Sequence, residues 1–331
     1  MIDPLLDALK DHRAYFLIGS WWSLTPSVMA LTVKQYRSCA QKFKNHNYIY
    51  LCNEPEYVDL LKGFGIPAFF CHQNAMLDEH TFTIKRDVKK VFDSIYNANV
   101  YKNKRHYLAY LIKKLGLIYY CSELNEGKNL TGLKKMLPHA AFLNYDPVAK
   151  EHIFLDASAI CEYYNQAHVG LALSAIEGAM YASAEYLLCG LPVVSTHSKG
   201  GRDVFFDDEY CRVVPPDAIA VRDAVYKLID EKIDPIYIRN KTIEKMRIHR
   251  KILIDIVQGI YNIEGIQRNF QDEWNTVYIN KMLDTWMTPQ TILEYILRNI
   301  GHKGAITTPL YYNYKNSTRS VAHKGSWMPG S

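Results

Sequence analysis

Short apolar runs alternate with longer segments of helical periodicity along the first part of the chain. Residues 14–20 (AYFLIGS) read as a strand and Val28 to Lys44 as a helix. Residues 48–53 (YIYLCN) read as strand, Glu54 to Phe64 as helix, and 66–72 (IPAFFCH) as strand again. This alternation is the signature of stacked β-α-β units and a parallel sheet. The polar residues that end each strand fall at the carboxyl edge, where open α/β sheets bind ligands. The pattern restarts at 93–99 (DSIYNAN), with 105–116 (RHYLAYLIKKLG) as the next helix. Strands are expected within 117–123, 140–146, 169–174, 191–196 and 211–216. Helices are expected around Ala157 to Gln166, after Gly178, and from Ala218 to Glu231.

From about residue 237 to 300 the pattern is helical throughout, with Trp274 and Trp286 as packing anchors. After Gly301 the chain mixes Gly, Ser, Asn and Tyr without a period and is expected to be poorly ordered. The expected architecture is α/β, with two Rossmann-like domains facing a central cleft. Residues 1–92 form the first domain and 93–270 the second; helices at 271–300 pack back onto the first, and 301–331 are a tail. A ligand belongs in the cleft between two such domains.

One stretch carries candidate chemistry, residues 169–205 (VGLALSAIEGAMYASAEYLLCGLPVVSTHSKGGRDVF). A strand ends at Ser174, and Gly178 with the small residues after it admits a tight entry into a helix that runs to about Cys189. Gly190 supplies the C-terminal cap. The free N–H groups of that helix start face the carboxyl edge of the sheet and suit a diphosphate. Glu177 and Glu185, eight positions apart, lie about 80° apart on a helix, which argues against a paired acid/base dyad. Glu177 falls on the loop and points into the cleft; its alternative use is to stabilise the helix N-terminus through the macrodipole. Glu185 lies inside the helix, placed to accept from a diol such as ribose. A merely solvated Glu185 is the alternative, but Ala182, Ala184 and residues 186–189 (YLLC) are too apolar for a solvated face.

The spacing of these acids, the preceding Leu173-Ser174 and the following residues 189–196 (CGLPVVST) resemble the nucleotide-sugar site of family-4 retaining glycosyltransferases of the GT-B fold. That segment commonly reads S-x-x-E-G-x-x-x-x-x-x-E-A-x-x-x-G-x-P-V-V, and Ser174, Glu177, Gly178, Glu185, Gly190, Pro192, Val193 and Val194 match it in register. The resemblance implies that Glu177 lies by the donor sugar, next to Gly178, and that Glu185 binds the ribose. It gives the diphosphate to backbone amides around Tyr181 and Ala182. The family's Gly-Phe-Gly is here Gly178-Ala179-Met180. Its G-R-x-x-x-x-K loop after the first strand of the second domain corresponds to residues 98–104, with Lys104 on the phosphate-holding Lys position. Asn99 replaces the Arg, and Arg105 or Lys102 compensates. Gly200-Gly201, with Arg202, resembles the loop after the next strand. In the first domain, which in this family binds the acceptor, the resemblance gives Gly19-Ser20 to the loop near donor and acceptor, and His72 to a cleft histidine by the donor sugar. Asn74, Asp78 and Glu79 are nearby polar groups.

The implied reaction moves a sugar from a UDP- or GDP-linked donor to an acceptor hydroxyl with retention, in polysaccharide or glycolipid synthesis. Lys104 and the helix N-terminus stabilise the leaving diphosphate, so no metal or further cofactor is required. Two other readings stay open: a catalytically silent nucleotide-sugar-binding subunit, and an epimerase or phosphorylase on the same fold. A dinucleotide oxidoreductase is disfavoured, because no GxGxxG follows 14–20 or 93–99.

Composition bounds these readings without changing them. Length 331, 48% hydrophobic and 22% charged residues describe an ordinary globular protein of two domains. A net charge of +5 fits a phosphorylated ligand, or peripheral association of a cytoplasmic protein with the inner face of a membrane during work on a carbohydrate or lipid-linked acceptor. It lacks the concentrated basic stripe of a nucleic-acid binder. The densest basic run, Lys85 to Lys90, reads as a solvated helix start. Seven scattered Cys without a CxxC pair indicate free thiols in a reducing compartment rather than disulfides or a zinc site. The acidic start lacks the pattern of a signal peptide, and no apolar run reaches membrane-spanning length.

Overall fold

The computed structural model describes residues 3–19, 23, 25–120, 126–277 and 289–300. The tail from Gly301, together with Trp286, Ser20 and Cys121, lies outside the described residues.

Helix α1 (Asp3–Ala8) precedes strand β1 (Ala14–Gly19), helix α2 (Pro26–Lys42), strand β2 (His46–Cys52), helix α3 (Pro55–Gly63) and strand β3 (Ala68–Phe70). The three strands pair in parallel in the order β1-β2-β3, with Ala14 opposite His46 and Tyr50 opposite Ala68. Helix α2 starts where it does because Thr25 Oγ1 accepts the Val28 N–H and Pro26 occupies the first turn, where its missing N–H costs nothing. Val58, Leu61, Ile66, Ala68, Met29 and Val33 close a small core between these helices and the sheet.

The second unit begins with β4 (Phe92–Asn99) and β5 (Leu115–Tyr120), then α4 (Glu126–Met136), β6 (Ala141–Phe142), and the two short strands β7 (Tyr145–Asp146) and β8 (Glu151–His152). It continues with α5 (Ala157–Asn165), β9 (Ala167–Ala172), α6 (Tyr181–Leu188), β10 (Val193–Thr196), β11 (Cys211–Val214) and α7 (Ala218–Glu231). Six strands form one parallel sheet in the order β11-β10-β9-β4-β5-β6; β7 and β8 pair separately and antiparallel. Ile95, Leu117, Ile118, Val169, Leu171 and Val193 are fully buried, as strands covered on both faces require. The alternation read from the sequence is thus real in both halves. Among the described residues none of the six cysteines forms a disulfide.

Three local readings are corrected. Residues 105–116 do not form a helix: they make a 3-10 turn at His106–Ala109 and then enter β5 at Leu115. Arg105 takes a left-handed backbone (φ 52°) just before that turn, and His106, Leu108, Ala109 and Ile112 are buried in a spacing no single helix face provides. Lys85–Lys90 is not a helix start either. It is an irregular link with a turn at Arg86 and Asp87, docked on the second unit, where the Lys85 N–H donates to Asn165 Oδ1 (2.8 Å) and Lys90 Nζ to the Ala167 carbonyl (2.7 Å). Helix α4 had no clear signal, since Gly127 and Gly132 interrupt its helical propensity.

Beyond α7 the chain runs into α8 (Pro235–Ile263), α9 (Phe270–Val277) and α10 (Pro289–Ile300), and these helices return to the first unit. The return begins already in α8. Its Ile238 and Met246 belong to the large core under the six-stranded sheet, whereas Leu253 and Ile254 pack with Cys71, Phe270 and Trp274 beside β3. Helix α10 lies against α1. Between the two halves of α8, Arg250 donates to the carbonyls of Ala75 (2.6 Å) and Leu77 (2.9 Å) and forms a two-pronged pair with Glu79. No described helix is long and apolar enough to cross a membrane.

Arg250 is buried, so truncating it removes the donor that both carbonyls share and the cation beside Glu79. Arg250→Ala is expected to destabilise the fold by about 3 kcal/mol, measured by denaturant unfolding. An Arg250→Ala variant as stable as the wild type contradicts this account of α8.

Candidate active site

The carboxyl ends of β9 and β10 are joined by one buried guanidinium. Arg202, with no exposed surface, donates to the Ser174 carbonyl (2.9 Å), Ser195 Oγ (2.6 Å) and the Thr196 carbonyl (2.5 Å), and pairs with Asp203. Arg202, read in the sequence only as part of the Gly200-Gly201 loop, spends its donors on the protein itself. Around it, three loops are laced by backbone bonds. Ala175 N–H donates to Asn103 O (2.9 Å), Lys199 N–H to Ala175 O (3.0 Å), and Glu177 N–H to Lys199 O (2.9 Å).

This lacing brings Lys104 and Glu177 together as an ion pair, with Ser174 Oγ donating to the same Glu177 oxygen (2.6 Å). Both charged side chains are about nine-tenths buried, at 11% and 9% exposure, so the pair sits in a low-dielectric pocket at the sheet edge. Arg105 lies one residue on, donating weakly to Thr196 Oγ1 (3.3 Å). The 3-10 turn that holds Lys104 is closed by Tyr96, whose hydroxyl donates to the Lys104 carbonyl.

Helix α6 opens at Met180, where no side chain supplies a capping hydrogen bond. Instead Asn74 reaches across from the first unit and donates to the Met180 carbonyl (2.9 Å). Gly178 is buried in the loop before it, and Tyr181 and Ala182 form the first turn. Glu185, one turn further in and buried, accepts from the Tyr164 hydroxyl (2.6 Å), which in turn accepts from Asn97 Nδ2 (2.6 Å). Tyr120, at the end of β5, shares this environment: burial, then the Glu185 charge, push its hydroxyl up to about 12. Tyr164, Asn97 and Tyr120 escaped the sequence reading; the polar Asn97 inside an apolar strand was the signal that could have found them.

His72 is placed in the cleft but fully enclosed. Its Nδ1 accepts the Asn74 N–H (3.1 Å), which leaves Nε2 as the donor to the Gly201 carbonyl (2.8 Å). Burial, opposed by the Gly201 bond, lowers its pKa to about 3, so the ring is neutral. Both nitrogens are used, and the ring works as a tie between the two units; nothing in this arrangement gives it contact with a reacting group. Gly200 and Gly201 complete the contact. A Cβ on Gly200, whose φ is 110°, would lie 1.6 Å from the Glu177 carbonyl oxygen and 3.3 Å from Ser23 Cβ; one on Gly201 would lie 2.3 Å from the Asn53 carbonyl oxygen. Gly19 is exposed at the end of β1, with open space around its missing Cβ, and is not drawn into this web among the described residues. Among the described residues, no group of three or more His, Cys, Asp or Glu is placed to hold a metal ion.

Residues 130–231, which contain α6, Glu177 and Glu185, match the family model of glycosyl transferases, group 1. That stretch, about a third of the chain, is where the similarity to this family is found. About three quarters of the chain resembles solved structures of the GT-B fold. Sucrose-phosphate synthase from Thermosynechococcus elongatus is 15% identical, with a TM-score of 0.52 over 71% of this chain and 62% of its own, so the chain spans under two thirds of that enzyme. Anabaena HepE, solved in complex with UDP, is 11% identical, with a TM-score of 0.56 over 78% of this chain and 82% of its own. A glycosyltransferase from Rickettsia africae is 13% identical, with a TM-score of 0.50 over 76% and 80%. No curated protein matches in sequence. The expected GT-B arrangement and the glycosyltransferase resemblance are borne out at the level of the fold and of residues 130–231.

Two outcomes follow from the geometry. Gly201→Ala forces the Asn53 contact apart and is expected to lower stability by about 1–3 kcal/mol, read from a thermal melt. For His72, the folded pKa (about 3) lies below the ordinary value of 6.5, so the unfolded state takes the proton first. Its contribution is intact above pH 6.5 and is lost as pH falls from there toward 3. His72→Gln is therefore expected to flatten the acid limb of the stability profile over that window; an unchanged acid limb rejects the enclosed, neutral ring.

Proposed function

We propose that the protein is a retaining glycosyltransferase that moves a sugar from a nucleoside-diphosphate donor to the hydroxyl of a carbohydrate or lipid-linked acceptor, in polysaccharide or glycolipid synthesis. The observation that carries this reading is the convergence, at one sheet edge, of the Lys104–Glu177 pair and the start of α6, with Glu185 one turn inside it. The order matches the parts of the donor. Glu185, oriented by Tyr164, takes the ribose diol. The opening turn of α6, at Tyr181 and Ala182, takes the diphosphate, where helix N–H groups favour an anion. Glu177 beside Gly178 takes the sugar hydroxyls.

Lys104 supplies the cation. Without donor it is neutralised by Glu177. A diphosphate, with more charge than one carboxylate, draws the ammonium toward itself and releases Glu177 to the sugar. The developing charge on the leaving phosphate is then met by Lys104, by Arg105 and by the helix start, which suffices without an obligatory metal. The complex of HepE with UDP supports uridine diphosphate as the first nucleotide to test. The work would be done in the cytoplasm, at the inner face of a membrane if the acceptor is lipid-linked.

The roles separate in binding and turnover. Lys104→Ala and Glu185→Ala are each expected to weaken UDP binding, measured by calorimetry, by about tenfold or more. Glu177→Gln frees Lys104 and is expected to hold or tighten UDP binding while lowering transfer by roughly a hundredfold. Transfer is assayed with UDP- and GDP-sugars against saccharide acceptors, and the product anomer is read by NMR. Inverted product rejects retention. A wild type that binds donor and never turns it over is a silent binding subunit.

A further inference from the structure

The donor site described above lies almost wholly in the second unit, yet it is closed by a short stretch of the first. Glu54 follows β2 directly and stands at the carboxyl edge of the three-stranded sheet, beside Asn53, whose carbonyl oxygen abuts Gly201. It occupies the cap position of α3 without bonding the helix N–H groups, so its carboxylate is not spent as a helix cap. Its hydrogen-bond contact is a long one, from Ser23 Oγ at 3.5 Å, and Ser23 Oγ lies 3.1 Å from the Tyr57 hydroxyl. No cation pairs with it among the described residues, although its surface is partly buried. Ser23 in turn is the first-unit residue that meets Gly200, whose other neighbour is the backbone of Glu177. Ser23 thus joins a carboxylate and a phenol of the first unit to the loop of Gly200 beside Glu177.

A half-buried carboxylate with one long hydrogen bond and no counter-ion is costly to maintain, and in a cleft it marks a place where a ligand completes the hydrogen bonding. The macrodipole of α3 favours an acid at this end of the helix, but the Glu54 carboxylate makes no capping hydrogen bond to the N–H groups there. We propose that Glu54, with Ser23 and Tyr57, forms the acceptor subsite of the cleft, and that the acceptor enters it with a neutral polyol hydroxyl rather than an anionic group. This rests on the glycosyl-transfer reading above. Burial, then the neighbouring Glu56, push the Glu54 carboxyl up to about 7, with Ser23 opposing. Near neutrality it can both accept from an alcohol and donate to it. Glu56, exposed on the first turn of α3, adds negative potential at the same mouth and repels phosphate- or carboxylate-bearing acceptors. Glu54 touches the incoming acceptor and not the donor, which makes it a specificity residue.

The test uses the full chain saturated with UDP, a panel of neutral methyl glycosides, and the corresponding glycoside 6-phosphates. Glycoside binding is read by saturation-transfer NMR, UDP affinity by calorimetry, and folding by thermal melts. In the wild type at least one neutral glycoside binds, and more tightly than its 6-phosphate. Glu54→Ala weakens that binding by about tenfold or more, with UDP affinity within about twofold of the wild type. Glu54→Gln, which keeps the shape and one hydrogen bond, falls between the two. Equal glycoside binding in the variants, binding of none of the neutral glycosides, or preference for the phosphorylated set overturns the proposal while leaving the donor site standing. A wild type that does not bind UDP overturns the donor site, and this inference with it.

Discussion

The geometry of the cleft depends on a charge hidden from water. Arg202 has no exposed surface, and a buried guanidinium is tolerated only where its donors are matched. Here they are matched by the ends of two neighbouring strands and by the carboxylate of the next residue. The bonds fix where β9 and β10 stop, and hence where the loops to Glu177 and to Gly200 begin. Lys104 then finds Glu177 because the loop before the acid is tied to the turn that carries the lysine. His72 and Asn74 meet the second unit through the same loops. Remove the guanidinium and every distance at the sheet edge loses its reference.

The small residues beside Arg202 complete that design. Glycine at 200 is required by a left-handed backbone and by contact with the Glu177 carbonyl, and glycine at 201 by contact with Asn53 across the cleft. Two backbones meet where side chains would hold the units apart. The polar ties beside these glycines, His72 to Gly201 and Asn74 to Met180, both end on carbonyls rather than on charged groups.

What was legible in the sequence was what local pattern controls. Helix α7 was read with its boundaries, because Asp217 caps its start and the apolar period is clean. The loop position of Glu177 and the helical position of Glu185 followed from Gly178 and the small residues after it. The failure at 105–116 has a definite cause: the apolar residues there serve a turn and a strand, and periodicity alone does not separate a short buried helix from these. The true characters of His72 and Arg202 were not legible, since each is defined by partners more than a hundred and by up to 28 positions away respectively. Glu54 was read only as the first residue of a helix, because nothing local announces that its carboxylate lacks a counter-ion.

Helix α8 adds a mechanical consequence. It is one continuous rod of 29 residues whose early turns are part of one hydrophobic core and whose later turns are part of another. The two α/β units are thus splinted as well as linked, since the Lys85–Lys90 connection is itself pinned to the second unit. A splint of this kind resists twisting and wide gaping. It permits sliding at whichever end is less tightly bonded, and Arg250 anchors the end beside residues 75–79. A helix shared in this way favours small shear-like sliding over wide gaping as the way such a cleft opens.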